Sequence, residues 1–201
     1  MHPYPAFREN SDVKNLNFAR NCGFGTLSVN GEEGPVVIHI PFLLDETGAY
    51  ADFHLARFNP IARIAQGKAI LTVSGPYGYV SPDWYNMADQ VPTWNYVAVH
   101  LRGRLAPLPK DALSDLIDRQ SAFFEEKLAP KPPWTADKMS DGIKDKMMKA
   151  ILPFRLDIAA VDGIWKLNQN KPDDVRLRAG EKITSGVGSD LATLAGLMRD
   201  A

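Results

Sequence analysis

Along the first hundred positions, short apolar or alternating runs are separated by turn-forming residues. FGTLSV (24–29) reads as a strand, NGEEG as the turn after it, and PVVIHIPF (35–42) as a second strand. That second run is hydrophobic on both faces, so a central place in a sheet is expected for it. DETG marks another turn and AYADFHL (49–55) a third strand, and the three segments predict an antiparallel meander. KAILTVSG (68–75) makes a fourth strand and WNYVAVHLRGRLAPL (94–108) a long fifth. In the fifth, the alternation is read as setting Tyr96, Ala98 and His100 opposite Trp94, Val97 and Val99. FRLDIAAVDGIWKLN (154–168) is a last strand, too apolar to stand alone.

Helical spacing occupies the rest. Residues 11–21 open with Ser11 as N-cap and carry Val13, Leu16, Phe18 and Ala19 loosely on one side. NPIARIAQG (59–67) has Asn59 as cap, Pro60 at the first helical position and Gly67 as terminator. After Lys110, DALSDLIDRQSAFFEEKL repeats Leu113, Leu116, Ile117, Phe123 and Phe124, and PKPPW then breaks the pattern. TADKMSDGIKDKMMKAIL reads as a further helical stretch, and residues 171–201 as two short helices around SGVGS. The fold class expected is α+β: about six antiparallel strands forming a barrel with helices at its rim. Residues 1–170 make the domain, with a helical insertion at about 109–151, and 171–201 a helical tail.

Composition narrows the partners. The chain has 201 residues, 23 Lys+Arg against 24 Asp+Glu, and a formal net charge of −1, so a nucleic-acid role could rest only on local patches. Cys22 is the single cysteine, which excludes an internal disulfide and a multi-cysteine metal site; its apolar surroundings predict burial. MHPYPAFREN lacks the basic and apolar regions of a signal peptide, and VVIHIPFLL is too short to span a bilayer. A cytoplasmic protein with no membrane partner is expected.

Two segments carry candidate chemistry. In FHLARFNP (53–60) a strand end, Arg57 and an Asn-Pro helix start fall together, which suits either a phosphate or an ordinary capped helix with a solvated arginine. From 75 to 100, Tyr77, Tyr79, Trp84, Tyr85 and Trp94 gather with Ser81, Thr93 and Asn95 across a long loop, residues 76–93. Such a surround suits a flat heteroaromatic ring, or a loop packed on itself. His2, His39, His54 and His100 show no HxH or HExxH spacing, so no metal site is expected. No nucleophile elbow, Walker loop or dinucleotide fingerprint is present.

Taken together, YPAFRENS (4–11), HIPFLLDE (39–46), FHLARFNP (53–60), SGPYGYVSPDWY (74–85), VPTWNYVAVHLRG (91–103) and KLNQNK (166–171) resemble, in order and spacing, the PaiB family of negative transcriptional regulators. Ser74 stands where that family has an aromatic, and Asn168 where a serine is usual. The resemblance implies an antiparallel split β-barrel of the FMN-binding type, a homodimer, and FMN at the dimer interface. It implies further that His54, Ala56, Arg57 and Asn59 lie near the phosphate and ribityl chain, and that His39, Ile40, Pro41 and Phe42 line the ring through strand backbone. Trp94 and Asn95 are implied at the ring's edge, and Lys166, Gln169 and Asn170 from the partner. The function implied is FMN-dependent negative regulation of transcription, with direct DNA contact weakly supported by the charge. The alternative is a flavin-dependent oxidoreductase of the NAD(P)H:flavin reductase kind.

Overall fold

The computed structural model describes residues 2–64 and 66–201. Its sheet is built from β1 (Phe24–Gly31), β2 (Gly34–Pro41), β3 (Leu43–Leu44), β4 (Tyr50–Ala56), β5 (Gly67–Val80), β6 (Thr93–Pro107), β7 (Ile151–Lys166) and β8 (Gly188–Ser189). The strand order is β2-β1-β5-β6-β7-β4-β3, with β8 added on β5. Among the described residues six α-helices join them: α1 (Asp12–Cys22), α2 (Pro60–Ile64), α3 (Ala112–Glu126), α4 (Ile143–Met148), α5 (Asp173–Ile183) and α6 (Leu191–Arg199). This is the antiparallel α+β class expected.

The chain divides into two compact units, one of residues 1–17, 73–100 and 161–201, the other of 18–72 and 101–160. In the second unit β1 pairs antiparallel with β2 from Phe24↔Pro41 to Gly31↔Gly34, and with β5 from Thr26↔Thr72 to Val29↔Ala69. β4 pairs with β7 from Tyr50↔Asp157 to Ala56↔Ile151, which stacks Phe53 on Phe154 at 6.3 Å. Leu113 and Leu116 of α3 are buried, and α3 packs against β4. Asp52 of β4 is buried and receives a fork of hydrogen bonds from Arg155 of β7, Nε to Oδ1 at 2.7 Å and Nη2 to Oδ2 at 2.9 Å. Arg119 of α3 lies 3.7 Å from Oδ2, and the Arg155 guanidinium sits 3.5 Å over the Tyr50 ring. These interactions hold the Arg155 proton more firmly than usual, the Asp52 hydrogen bonds foremost.

In the first unit α5 and α6 pack on each other and close over Gly78, whose missing side chain leaves room for Ile183, Leu191 and Leu194. Val80, Tyr85, Val97, Val99, Ile164, Leu167, Ile183, Leu194 and Met198 are buried there. The buried side chain of Asn15 accepts a hydrogen bond of 2.8 Å from Trp165 Nε1, which ties α1 to β7.

Several expectations are corrected. β2 ends the strand order instead of occupying its centre, and Val36, Val37 and Ile38 on it are at least partly exposed. The meander stops after β1–β2, because β4, buried at Ala51, Asp52, Phe53 and Leu55, pairs with β3 and β7. The loop expected from 76 begins only after Val80, since β8 extends the strand by pairing with Tyr77 and Gly78. Trp94 shares the face of Tyr96, Ala98 and His100, while Asn95, Val97 and Val99 point into the core. The helix expected over 59–67 runs only from Pro60 to Ile64, Gly67 begins β5, and Ala65 lies outside the described residues. The second helical stretch is reduced to α4 and one 3-10 turn (Ala136–Lys138). Cys22 is exposed and donates its S–H to the Phe24 carbonyl.

Candidate functional site

The second unit contains the segment singled out for an anion. Asn59 caps α2, its side-chain oxygen accepting from the Ile61 N–H at 2.9 Å and its carbonyl from the Ala62 N–H at 3.0 Å. With those donors satisfied and only five helical residues, the helix start has little left to offer a ligand. Arg57 stands apart from it. Its backbone N–H donates to the Ala150 carbonyl at 2.8 Å and its Nε to the Lys149 carbonyl at 3.0 Å. So anchored, Arg57 lines a cleft of about 430 Å³ together with Lys110, Lys149, Asp111, Asp145 and Met148. Ala56 beside it is exposed.

His54 sits one strand residue from the buried Leu55, half-buried beside Gln120 of α3. Burial pulls its imidazole below the ordinary histidine value, and the Gln120 side chain offsets part of that pull. The folded protein therefore prefers a neutral ring, and the unfolded chain takes up the proton first as pH falls through about 6.5. Stability is expected to drop across that range. Thermal melts at about pH 7.5 and about pH 5.5 should show a larger difference for the natural protein than for His54→Gln. An equal pH response in both would remove this role from His54.

His39, Ile40, Pro41 and Phe42 run along and just past β2. Ile40 and Phe42 turn their side chains into the core, Pro41 is half-buried, and His39 is exposed and stacks on Phe24 at 6.4 Å. Backbone groups on the outer edge of β2 are what this segment presents to a ligand.

The first unit holds the remaining candidates. Trp94 is exposed and touches Tyr77 and Tyr79, with ring centres at 6.2 and 5.8 Å. Asn95 is buried on the opposite face, where its amide donates to Met198 Sδ at 3.4 Å, so its side chain belongs to the core. Gln169 is a local brace: its amide donates to the carbonyls of Ala6 and Trp165, and its oxygen accepts from the Leu167 N–H. Lys166 and Asn170 line a pocket of about 240 Å³ with Tyr4, Phe7, Tyr85 and Lys171. Asn168 adopts a positive φ of 64°, a conformation asparagine tolerates well, and shares a hydrogen bond with the Tyr85 hydroxyl at 3.2 Å. Among the described residues no three His, Cys, Asp or Glu side chains cluster as a metal site requires, and no helix is long and apolar enough to cross a membrane.

The profile of a family described as "Putative FMN-binding domain" matches residues 1–160. The chain belongs to this FMN-binding family. It is also 28% identical over 188 residues to the protease synthase and sporulation protein PAI 2 of Bacillus subtilis, covering 92% of this chain and 89% of that protein. Among solved structures, an FAD and heme binding protein from Mycobacterium smegmatis matches with a TM-score of 0.60 at 17% identity, over 84% of this chain and 78% of that one. The flavocytochrome Anf3 from Azotobacter vinelandii matches at 0.56 and 16%, over 82% and 72%. These likenesses show the fold, a split barrel.

FMN is the cofactor of this family, and the residues present suit it at one point in particular. A phosphate monoester needs fixed N–H donors and positive charge, and the FMN-binding family member described here offers Arg57, Lys110 and Lys149 against Asp111 and Asp145 in one cleft. The cleft volume lies in the range of sites that take cofactor-sized ligands. Lys110 and Lys149 were not legible as site residues, because they lie at helix borders far from Arg57 in sequence. Tyr4, Phe7 and Lys171 were likewise missed as pocket residues; their only signal was membership in the segments that carry the PaiB resemblance.

Proposed function

We propose that the protein binds FMN as a homodimer, with the phosphate on Arg57, and that the flavin-loaded dimer acts as a negative regulator of transcription. The anchoring of Arg57 carries the cofactor part. Because Nε is already held by the Lys149 carbonyl, the guanidinium is positioned before any ligand arrives, and little side-chain entropy remains to be lost. Lys110 and Lys149 add charge, and the β2 edge from His39 to Phe42 supplies backbone groups for the ring. Bound there, FMN brings one- and two-electron redox chemistry; the chain's own part is to hold and orient it.

The dimer rests on the open edge of β2. Val37 of β2 is 52% exposed and Phe24, at the start of the neighbouring β1, 50%, and an apolar edge strand left open invites pairing with another chain. Trp94, exposed beside Tyr77 and Tyr79, is an aromatic surface that a second copy brings to such an interface. Regulation rests on the likeness to PaiB, and the near-neutral charge confines contact with DNA phosphates to local patches.

Flavin fluorescence quenching tests the cofactor site. Arg57→Ala is expected to weaken FMN binding by about 2 kcal/mol, roughly 30-fold, while leaving riboflavin, which lacks the phosphate, unaffected. Equal FMN affinity in both proteins would overturn the assignment. For the regulatory part, a mobility-shift assay on the promoter next to the protein's own gene should respond to FMN at low salt. No shift there, together with steady NAD(P)H consumption by the flavin-loaded protein, would favour the reductase reading.

A further inference from the structure

The pocket of the first unit has an electrostatic peculiarity. None of its lining residues is acidic, yet two are lysines. The Lys166 ammonium donates to the Thr93 hydroxyl and that of Lys171 to the Gln90 side-chain oxygen, both neutral acceptors. Each lysine is half-buried, and among the described residues neither has a carboxylate partner. Other half-buried cations are matched: Arg155 with Asp52 and Lys144 with Asp118. An uncompensated pair of cations drawn partly out of water is unfavourable unless an anion joins it.

The walls restrict what that anion can be. Phe7 lies 5.8 Å from the Lys166 ammonium and Tyr85 lies 5.0 Å from that of Lys171, so both charges rest against aromatic faces. The buried Tyr85 hydroxyl is fixed by Asn168, and burial raises its pKa, so it stays a neutral phenol. The volume of about 240 Å³ corresponds to about eight waters and is too small for a whole flavin.

We propose that this pocket binds a small organic anion of one ring or a few carbons, its carboxylate or phosphate group held by the ammonium groups of Lys166 and Lys171. Each lysine keeps two N–H donors after its present hydrogen bond. The aromatic residues contact the body of the ligand, and Asn170 at the rim offers an amide. Burial pulls the Lys166 pKa below the usual lysine value, and a bound anion reverses that pull. The site shares no lining residue with the Arg57 cleft and does not rest on the flavin reading.

Isothermal titration at low salt, with benzoate and phenyl phosphate as probes and benzamide as the neutral control, tests it. Saturable one-to-one binding of either anion is expected, with none for benzamide. The affinity should fall at least about tenfold in Lys166→Met and Lys171→Met, which keep the apolar stems, and stay unchanged in Arg57→Ala. The better of the two anions identifies the group, carboxylate or phosphate. In parallel, saturating anion should slow modification of Lys166 by an amine-directed acylating reagent. The proposal fails if neither anion binds up to about 10 mM, or if both methionine variants bind as the natural protein does. It also fails if those variants lose FMN without any small-anion site, because the lysines would then belong to the flavin. Failure of FMN binding in Arg57→Ala alone leaves it intact.

Discussion

Arg155→Met is expected to lower the thermal unfolding midpoint by roughly 10 °C, from a cost of about 3 kcal/mol at roughly 2–4 °C per kcal/mol for a chain of this size. Asp52 is 1% exposed, and two of its hydrogen bonds come from Arg155. Without them the buried carboxylate keeps, among the described residues, only Arg119, 3.7 Å away on a half-exposed side chain. Arg155→Lys should recover little, because an ammonium cannot reproduce the planar fork. The informative comparison is the double variant Asp52→Leu/Arg155→Met. Removing both partners takes away the stranded charge, so the double variant is expected to be more stable than Arg155→Met alone. If Arg155→Met melts within about 2 °C of the natural protein, then the ion pair contributes little and β4 is held to β7 by its backbone ladder and apolar packing.

Gly103→Ala is the second large effect, and it acts by steric exclusion. A methyl group on Gly103 of β6 would stand 1.8 Å from the carbonyl oxygen of Asp157 and 2.7 Å from its carbon, both in the backbone of β7. Nothing there is a flexible side chain that could swing aside, so the two strands must separate locally. A loss above about 4 kcal/mol follows, beyond the usual range for single substitutions, and soluble yield should collapse. The control is Gly196→Ala on α6, where the nearest atom is the end of Arg199 at 3.6 Å and a helical alanine is favoured over glycine. That variant should be neutral or slightly stabilised. A folded Gly103→Ala protein with an unchanged melt would show that β6 and β7 do not approach so closely in solution.

How much of this was legible depends on how local each cause is. β1 and β6 follow from alternation that one strand carries by itself, and α3 from Leu113 and Leu116 repeating at helical spacing. The Asn59 cap was readable because its reason lies within two residues. The edge position of β2 was not, since PVVIHIPF is as apolar as a central strand and only the pairing of β4 with β7 reveals who its neighbours are. In TADKMSDGIKDKMMKAIL, helical composition is overridden twice. Gly142 turns left-handed ahead of α4, and Ile151 is drawn into β7 opposite Ala56. The site divides along the same line. Arg57 could be named from its motif, whereas Lys110 and Lys149 join it only through folding. Asn95 and Gln169 sit in motifs that carry the resemblance, yet their side chains serve the core and a turn. A motif marks a region of the chain without distinguishing a residue that touches a ligand from one that holds its neighbour.

The division of the chain into interleaved units bears on its synthesis. Residues 1–17 share a unit with residues 161–201, so the earlier segment must wait for the later one before its own core can close. The Trp165 that bonds Asn15 is translated 150 residues later, at about 5–20 residues per second. During that interval Phe7, buried in the finished protein, has no partners from residues 161–201 to cover it. The first unit therefore cannot complete its fold until residues 161–201 have been made. A nascent chain stalled before residue 161 should be a client for holding chaperones.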